Sequence, residues 1–225
     1  MKIFAIIPAG GKGARSGFSV PKQYLKFNGK ELITFTLETF QKNKLIDEII
    51  ISADKFYFPL LAKMKSKYKF AKISKIVEGG KERQDSVFNA LTSLSANKKD
   101  LIAVHDAARP LLSSKILTEA INTAKKKGNA LVCVKAKDTL IKGSKVVDSY
   151  LDREEVYYVQ TPQIFKYQDL MDAMENAYEN NFYGTDESML VKNIGKKINL
   201  VEGSFLNFKV TTKSDIDLFK QLIWQ

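Results

Sequence analysis

Cysteine and histidine are almost absent from this sequence. Its 225 residues contain one cysteine, Cys133, and one histidine, His105. A single cysteine excludes an intramolecular disulfide framework and a zinc site built from cysteines. Because Cys133 lies within the apolar run ALVCVK, we expect a buried structural thiol rather than a reactive one.

Long apolar segments are missing as well. No stretch approaches the roughly 20 apolar residues that cross a bilayer. The amino-terminal segment KIFAIIPAGG has only five apolar residues before Pro8, too few for a signal peptide. We therefore expect a soluble, cytoplasmic protein without a membrane partner.

Arginine is scarce in a chain that is otherwise rich in positive charge. Lys and Arg number 36 against 25 Asp and Glu, a net charge of +11, which attracts nucleic acid, acidic membranes or small phosphorylated molecules. The four arginines are Arg15, Arg83, Arg109 and Arg153. Their planar forks suit oxyanion recognition or buried ion pairs better than a flexible lysine does.

Short apolar runs alternate with helical patterns along the first 135 residues. The runs are rich in β-branched residues, which is typical of strands covered on both faces. They lie at residues 3–7, 48–52, 73–77, 101–105 and 130–134. This alternation predicts a layered α/β fold with a mostly parallel sheet, right-handed crossovers and a ligand site at the carboxyl ends of the strands.

The pattern changes after residue 136. Residues 137–160 predict a β-hairpin arm around the Gly143-Ser144 turn, too small to have a core of its own and therefore expected to pack against the body or a second subunit. Beyond it the sequence predicts a helix over 166–180, strands over 198–202 and 208–212, and a final helix capped by Ser214. No linker interrupts the chain, so we expect a single domain over 1–225.

Clustered glycines follow the first strand. Gly10, Gly11 and Gly13 leave room for a close partner, and a phosphate is the expected one because Lys12, Arg15 and Lys22 surround them. The dinucleotide pattern G-x-G-x-x-G fails at Ser16, and no Walker A string is present. The sequence thus predicts a phosphate-binding loop of another kind.

Motifs along nearly the whole chain resemble one family. PAGGKGAR followed by PKQYL resembles the nucleotide-binding signature of sugar-phosphate nucleotidyltransferases, and EGGKERQDSV, HDAARP, KDTL, QTPQIF, TDES and FKVT follow in the family's order. The nearest likeness is to the 2-C-methyl-D-erythritol 4-phosphate cytidylyltransferases of non-mevalonate isoprenoid synthesis, with ribitol-5-phosphate cytidylyltransferases as near relatives. The resemblance implies a Rossmann-like, nucleotide-diphospho-sugar transferase type of fold, CTP and a small polyol phosphate as substrates, and Mg²⁺ or another divalent cation as cofactor.

The resemblance also implies roles for individual residues. Arg15 and Lys22 would be catalytic by stabilising the α-phosphoryl transition state, and Asp106 would ligate the metal. The nucleotide would be bound by Pro8, Ala9, Gly10, Gly11, Gly13, Gly80, Ser86, Asp106 and Ala107. The polyol phosphate would be bound by Arg109, Thr139, Arg153, Thr161, Thr185 and Lys209. In the family the arm reaches across a two-fold axis, which implies a homodimer in which Thr139 and Arg153 serve the neighbouring site.

Several alternatives stay open from the sequence. Asp106 could cap a turn, and Arg109 could brace its loop. Arg83 could touch a phosphate or pair with Asp85. Lys81 stands where family members commonly have Asp, so base recognition at that point would have to come from the backbone. A basic nucleic-acid-binding protein without catalysis is the alternative of another class, and it would leave the glycine loop unexplained.

Within the resemblance, His105 is expected to be a structural histidine. A phosphate monoester is already largely ionised at neutral pH, so its attack on CTP needs no general base from the protein. A chain with one histidine is compatible with such chemistry.

Overall fold

A computed structural model describes residues 1–11 and 20–224 of the chain. The described strands are β1 (Ile3–Pro8), β2 (Lys26–Phe27), β3 (Lys30–Glu31), β4 (Glu48–Ala53), β5 (Ile73–Glu78), β6 (Leu101–Val104), β7 (Asn129–Lys135), β8 (Leu140–Gly143), β9 (Val147–Leu151), β10 (Tyr157–Lys166) and β11 (Leu200–Glu202). The described helices are α1 (Leu32–Lys42), α2 (Phe58–Lys67), α3 (Arg83–Thr92), α4 (Ser114–Lys127), α5 (Tyr167–Glu179), α6 (Glu187–Asn193) and α7 (Lys213–Ile223).

Seven strands form one central sheet in the order β11-β7-β10-β6-β1-β4-β5. Strand β1 pairs in parallel with both β4 and β6, and β4 pairs in parallel with β5. The five apolar runs of the sequence all become strands of this sheet, which confirms the predicted α/β class and its mostly parallel character.

Strand β10 is the exception to the parallel pattern. It lies between β6 and β7 and is antiparallel to both. The sequence did not predict it as part of the sheet, because Pro162 interrupts the run and proline is rare within central strands. The strand irregularity between Val159 and Gln163 accommodates that proline.

Helices cover both faces of the sheet. Alternate residues of β1 point to opposite sides, so Ile3 and Ile7 join the core beneath α1, α2 and α4, while Phe4 and Ile6 join the core beneath α3, α5 and α6. Burying one such side chain contributes about 1.5–3 kcal/mol, so these two cores stabilise the sheet from both sides. Cys133 is buried in β7, as expected.

Local signals set the ends of the helices. Helix α4 begins where the Ser113 side chain accepts from the amide of Ile116, and it ends at Gly128, whose φ of 92° is readily adopted only by glycine. Helix α7 begins one residue before the predicted cap at Ser214. Its actual cap is Thr212, because Thr212 and Asp215 form a reciprocal capping box. The predicted strand over 208–212 is wrong, since these residues form no ladder.

The arm is shorter than the predicted span of 137–160. Strands β8 and β9 pair from Leu140 to Leu151, and from Tyr157 onward the chain pairs with β7 in the central sheet. The hairpin itself carries exposed apolar side chains, among them Val146 and Tyr150. Among the described helices, none is long and apolar enough to cross a membrane. The cytoplasmic location stays a prediction.

Candidate active site

A cavity of about 660 Å³ opens at the carboxyl ends of the parallel strands. The chain leaves β1, β5 and β6 at this edge of the sheet, so the loops that follow these strands line the cavity. It is lined by ten residues to which the sequence analysis assigned a catalytic, nucleotide-binding or substrate-binding role, namely Pro8, Ala9, Gly10, Gly11, Lys22, Gly80, Ser86, Asp106, Ala107 and Lys209. Gly13 and Arg15 lie outside the described residues.

The loop after β1 forms one wall, and a buried amide side chain holds it. Gln23 donates from Nε2 to the carbonyl oxygens of Ala9 (2.7 Å) and Gly11 (2.9 Å). The hydroxyl of Tyr24 also donates to the carbonyl of Ala9, at 3.2 Å. These three bonds hold the backbone at Ala9 and Gly11, the part of the loop that the structure describes, without any ligand.

The loop after β5 forms a second wall. The amide of Gly80 donates to Oγ of Ser86 (3.0 Å), and that hydroxyl donates to the carbonyl of Glu82 (3.1 Å). A Cβ on Gly80 would lie 2.1 Å from Cβ of Asp85, a distance that no real structure tolerates. Glycine is therefore required at position 80 for the chain itself to fold this way. Lys81 beside it is exposed.

Asp106 lies at the floor of the cavity among three cations. Its Oδ2 is 2.9 Å from Nζ of Lys209, and its Oδ1 accepts from Nε of Arg83 at 3.0 Å. Nε of Arg109 lies 3.6 Å from Oδ2. Burial alone would raise the pKa of Asp106, but the three cations outweigh it and hold that pKa far below its usual range. Asp106 is therefore a buried, permanently charged carboxylate.

Arg83 bridges two carboxylates. Besides Asp106, it binds Glu187 with both terminal nitrogens, NH1 to Oε1 at 2.6 Å and NH2 to Oε2 at 3.0 Å. The suggested pairing with Asp85 is wrong. Asp85 instead accepts from the amide of Glu82 and from the hydroxyl of Tyr178.

Arg109 braces the loops around the cavity. It donates from NH1 to the carbonyl of Asn207 (2.7 Å) and from NH2 to that of Val159 (3.4 Å). Burial lowers the pKa of Arg109, although Asp106 opposes that effect. The bracing role left open in the sequence is thus present in the structure.

Thr161 lies beneath the cavity, in β10. Its side chain is buried, and its hydroxyl accepts from the amide of Asp106 at 3.1 Å while also contacting Nδ1 of His105 at 3.0 Å. His105 is fully buried, and burial lowers its pKa to about 4. A neutral, enclosed imidazole fits the structural role expected for it.

The remaining predicted residues lie away from this cavity. Thr139 and Arg153 are exposed at the base of the arm, where Arg153 donates to the carbonyl of Lys137. Thr185 is exposed just before α6. Within residues 1–11 and 20–224, no three His, Cys, Asp or Glu side chains come together as a metal cage.

Comparison with known proteins identifies the family. The family described as "IspD: 2-C-methyl-D-erythritol 4-phosphate cytidylyltransferase" matches residues 3–224. The chain belongs to this family. A curated relative of that name from Clostridioides difficile strain 630 is 40% identical over 220 residues, 97% of this chain and 92% of its own.

Solved structures of IspD proteins share the fold. The 4-diphosphocytidyl-2C-methyl-D-erythritol synthase of Anaerococcus prevotii is 29% identical with a TM-score of 0.86, covering 100% of this chain and 99% of its own. The 2-C-methyl-D-erythritol 4-phosphate cytidylyltransferase of Francisella tularensis is 32% identical with a TM-score of 0.84, covering 98% of this chain and 99% of its own. The Rossmann-like architecture expected from the motifs is therefore confirmed.

Two residues of this IspD-family site were not singled out from the sequence. Gln23 lies within the PKQYL motif, and its role in holding the loop after β1 is evident only from its hydrogen bonds in the structure. Glu187 lies in the TDES motif, two residues after Thr185, but its partner Arg83 is 104 positions away. No local pattern reveals a pair so distant, although an acidic residue inside a matched motif was an available signal.

Proposed function

We propose that this protein transfers the cytidylyl group of CTP to 2-C-methyl-D-erythritol 4-phosphate, which gives CDP-methylerythritol and pyrophosphate. The observation that carries the proposal is the match to the family over residues 3–224, together with one cavity that is lined by Gly10, Gly11, Lys22 and Lys209 from its motifs. The cavity is of the size that small-molecule ligands occupy, about 300–1,000 Å³.

The proposed reaction is an in-line displacement at phosphorus. A phosphate oxygen of the polyol phosphate attacks the α-phosphorus of CTP and forms a new P–O bond. The bond from the α-phosphorus to the bridging oxygen breaks, and its electron pair leaves with pyrophosphate. The attacking monoester is already ionised near neutral pH, so the protein has to position two anions and stabilise the added charge.

The residues divide this work between the two walls of the cavity. We assign the triphosphate to the glycine loop, with Lys22 and Arg15 as the catalytic cations. We assign the cytidine to the second wall, at Gly80 and Ser86, where backbone groups rather than Lys81 read the base. Lys209 and Arg109 are assigned to the polyol phosphate, and Thr185 is assigned to it from its motif alone. Thr161, the buried residue that holds Asp106 from beneath, is assigned to the same side.

Magnesium fits the floor of the cavity as an ion that arrives with the nucleotide. Mg²⁺ is commonly held by one or two carboxylates and completes its shell with phosphate oxygens and water. Asp106 is a buried carboxylate of the cavity that stays ionised, and it would hold the ion. The bound ion would neutralise part of the triphosphate charge. The phosphate of the bound polyol also offers Lys209 and Arg109 an alternative partner, which would release Oδ2 of Asp106 for the metal.

The arm completes the site in a homodimer under this proposal. A two-stranded hairpin is at best marginally stable alone, and its exposed Val146 and Tyr150 give it apolar surface to bury against a partner. Thr139 and Arg153 lie at its base, outside the cavity of their own chain. We assign them to the polyol phosphate bound by the neighbouring subunit.

Pyrophosphate release tests the proposed function. Purified protein with CTP and Mg²⁺ is supplied with 2-C-methyl-D-erythritol 4-phosphate or, in parallel, with ribitol 5-phosphate. The proposal expects turnover with the methylerythritol phosphate at far higher kcat/KM than with the ribitol phosphate. The reverse preference would make the protein a ribitol-5-phosphate cytidylyltransferase, and turnover with neither, together with tight salt-sensitive RNA binding, would contradict the enzyme altogether.

A further inference from the structure

Glu187 is a buried carboxylate that the proposed reaction does not use directly. It is the first residue of α6 and its side chain is only 1% exposed. A charge at such a position is unfavourable unless it is paired. Both of its oxygens are bound by the terminal nitrogens of Arg83, at 2.6 and 3.0 Å, in the two-point geometry that fixes a guanidinium most firmly.

The remaining nitrogen of the same guanidinium, Nε, binds Asp106. With both terminal nitrogens held by Glu187, Nε of Arg83 donates to Oδ1 of Asp106 at 3.0 Å. Arg83 is therefore a rigid connection between a carboxylate outside the cavity and the carboxylate on its floor. Glu187 is absent from the cavity lining, whereas Arg83 and Asp106 are part of it.

We propose that Glu187 is a positioning residue that acts through Arg83 to set the place and the electrostatic surroundings of Asp106. The inference rests on the proposed function, in which Asp106 holds the metal that comes with CTP. It goes beyond that function by assigning a role to a residue that touches neither substrate.

The charge balance explains why Glu187 matters. Three cations, Arg83, Lys209 and Arg109, surround Asp106, and Glu187 neutralises the first of them. Without that carboxylate, Arg83 has Asp106 as its one remaining ion-pair partner among the described residues. It is then drawn further onto Oδ1 of Asp106, which moves the carboxylate away from the place where its other oxygen would hold the nucleotide's metal.

The substitution Glu187→Gln removes the charge and nearly preserves the shape. Misplacement of a site group by a fraction of an ångström to one ångström can cost up to about 100-fold in rate. We expect kcat/KM to fall about 10- to 100-fold and the calorimetric dissociation constant for CTP in Mg²⁺ buffer to rise. The calorimetric measurement needs no turnover and so stands apart from the activity assay.

Asp186 supplies a matched control in the same helix. Its side chain caps α6 by accepting from the amide of Met189 and from the hydroxyl of Ser188, and it has no contact with Arg83. We expect Asp186→Ala to lower the melting temperature while kcat/KM and CTP affinity stay within about twofold of wild type. Equal losses of activity in Asp186→Ala and Glu187→Gln would mean that Glu187 only supports the helix, which would overturn the inference.

A double-mutant cycle with Arg83→Gln tests the route of the effect. If Glu187 acts through Arg83, Glu187→Gln changes kcat/KM little once Arg83 is already replaced. The same fold-loss in both backgrounds would overturn the inference. If Glu187→Gln does not fold, Glu187→Asp takes its place in the cycle, because it retains the charge but cannot reach both nitrogens in the same geometry.

Wild-type protein is assayed first, so that the two proposals fail in different ways. An inactive wild type would overturn the proposed function and this inference with it. An active wild type with independent effects of Glu187 and Arg83 would overturn this inference alone.

Discussion

The backbone amide of Asp106 donates a 3.1 Å hydrogen bond to the hydroxyl of Thr161. That hydroxyl lies 3.0 Å from Nδ1 of His105, whose Nε2 lies 3.1 Å from the carbonyl oxygen of Arg109. A carbonyl can only accept, so Nε2 carries the proton and Nδ1 accepts from the threonine hydroxyl. The floor of the cavity is thus tied to the antiparallel strand β10 by the Thr161 hydroxyl, which a neutral histidine orients.

This arrangement predicts an acid-sensitive stability. Burial lowers the pKa of His105 to about 4, whereas an unfolded histidine titrates near 6.5. As pH falls from about 6.5 to 4, His105 becomes protonated in the unfolded chain but stays neutral in the folded chain. The free energy of unfolding therefore decreases, by up to roughly 3 kcal/mol. Urea unfolding at a series of pH values measures the slope.

His105→Gln is the control for that slope. Glutamine can donate to the carbonyl of Arg109 and accept from Thr161, but it does not titrate. Since His105 is the only histidine of the chain, the variant is expected to lose most of the pH dependence between about 6.5 and 5. An unchanged slope would assign the acid sensitivity to other groups.

We predict that Gly80 is needed for folding, whereas Gly11 is needed for CTP binding. A Cβ on Gly11 would have no heavy atom within 4 Å, counted over the described part of the chain, whereas one on Gly80 collides with Asp85. We expect Gly80→Ala to lower the melting temperature markedly. We expect Gly11→Ala to leave the melting temperature nearly unchanged and to weaken CTP binding, because the added methyl group occupies space that the phosphates need.

Thermal unfolding and CTP titration calorimetry of both variants check this contrast. Full CTP affinity in Gly11→Ala would show that the nucleotide does not approach that part of the loop.

Lys22 is predicted to contribute to catalysis rather than to folding. It lines the cavity, and loss of one preorganised charge typically costs about 100-fold or more in rate. We expect that loss in kcat for Lys22→Ala with little change in melting temperature, and the same for Arg15→Ala from its motif. Lys26→Ala is the matched control, because Lys26 is exposed and outside the cavity lining. Near-normal turnover in Lys22→Ala would contradict the charge-stabilisation argument.

The parts of the fold that the sequence predicted are those with strong local patterns. Continuous β-branched runs such as EIIIS became buried parallel strands, and the periodic segment after Ser113 became α4. Helix α2 was not predicted, because only Leu61 and Met64 of its lysine-rich sequence are buried. Helix α6 has just seven residues, too few for a periodic pattern to stand out.

The site, too, contains residues that the sequence predicted and residues that it could not predict. The site residues that the sequence predicted all lie in contiguous motifs, and ten of them line one cavity. The ion-pair partner of Arg83 could not be predicted, because a carboxylate at 104 positions' distance competes with the nearby Asp85 only once the chain has folded. Helix α3 uses Asp85 for its own capping box, which removes it as a partner.

A mixing experiment tests whether the arm serves the neighbouring subunit. Arg153→Ala and Lys22→Ala are each expected to be nearly inactive. In a mixed dimer, one site combines an intact cavity with the intact arm of the other subunit. Equal mixing with free exchange of subunits is then expected to restore about a quarter of wild-type activity, because half of the dimers are mixed and each carries one complete site. No recovery, with exchange shown by differently tagged chains, would place each arm at its own site.

A crystal structure with CTP and Mg²⁺ tests the central claim most directly. The account predicts the triphosphate against Gly10, Gly11 and Lys22, with the cytosine beside Gly80 and Ser86 and a metal ion between the phosphates and Asp106. An empty cavity with the nucleotide bound elsewhere on the chain would contradict it.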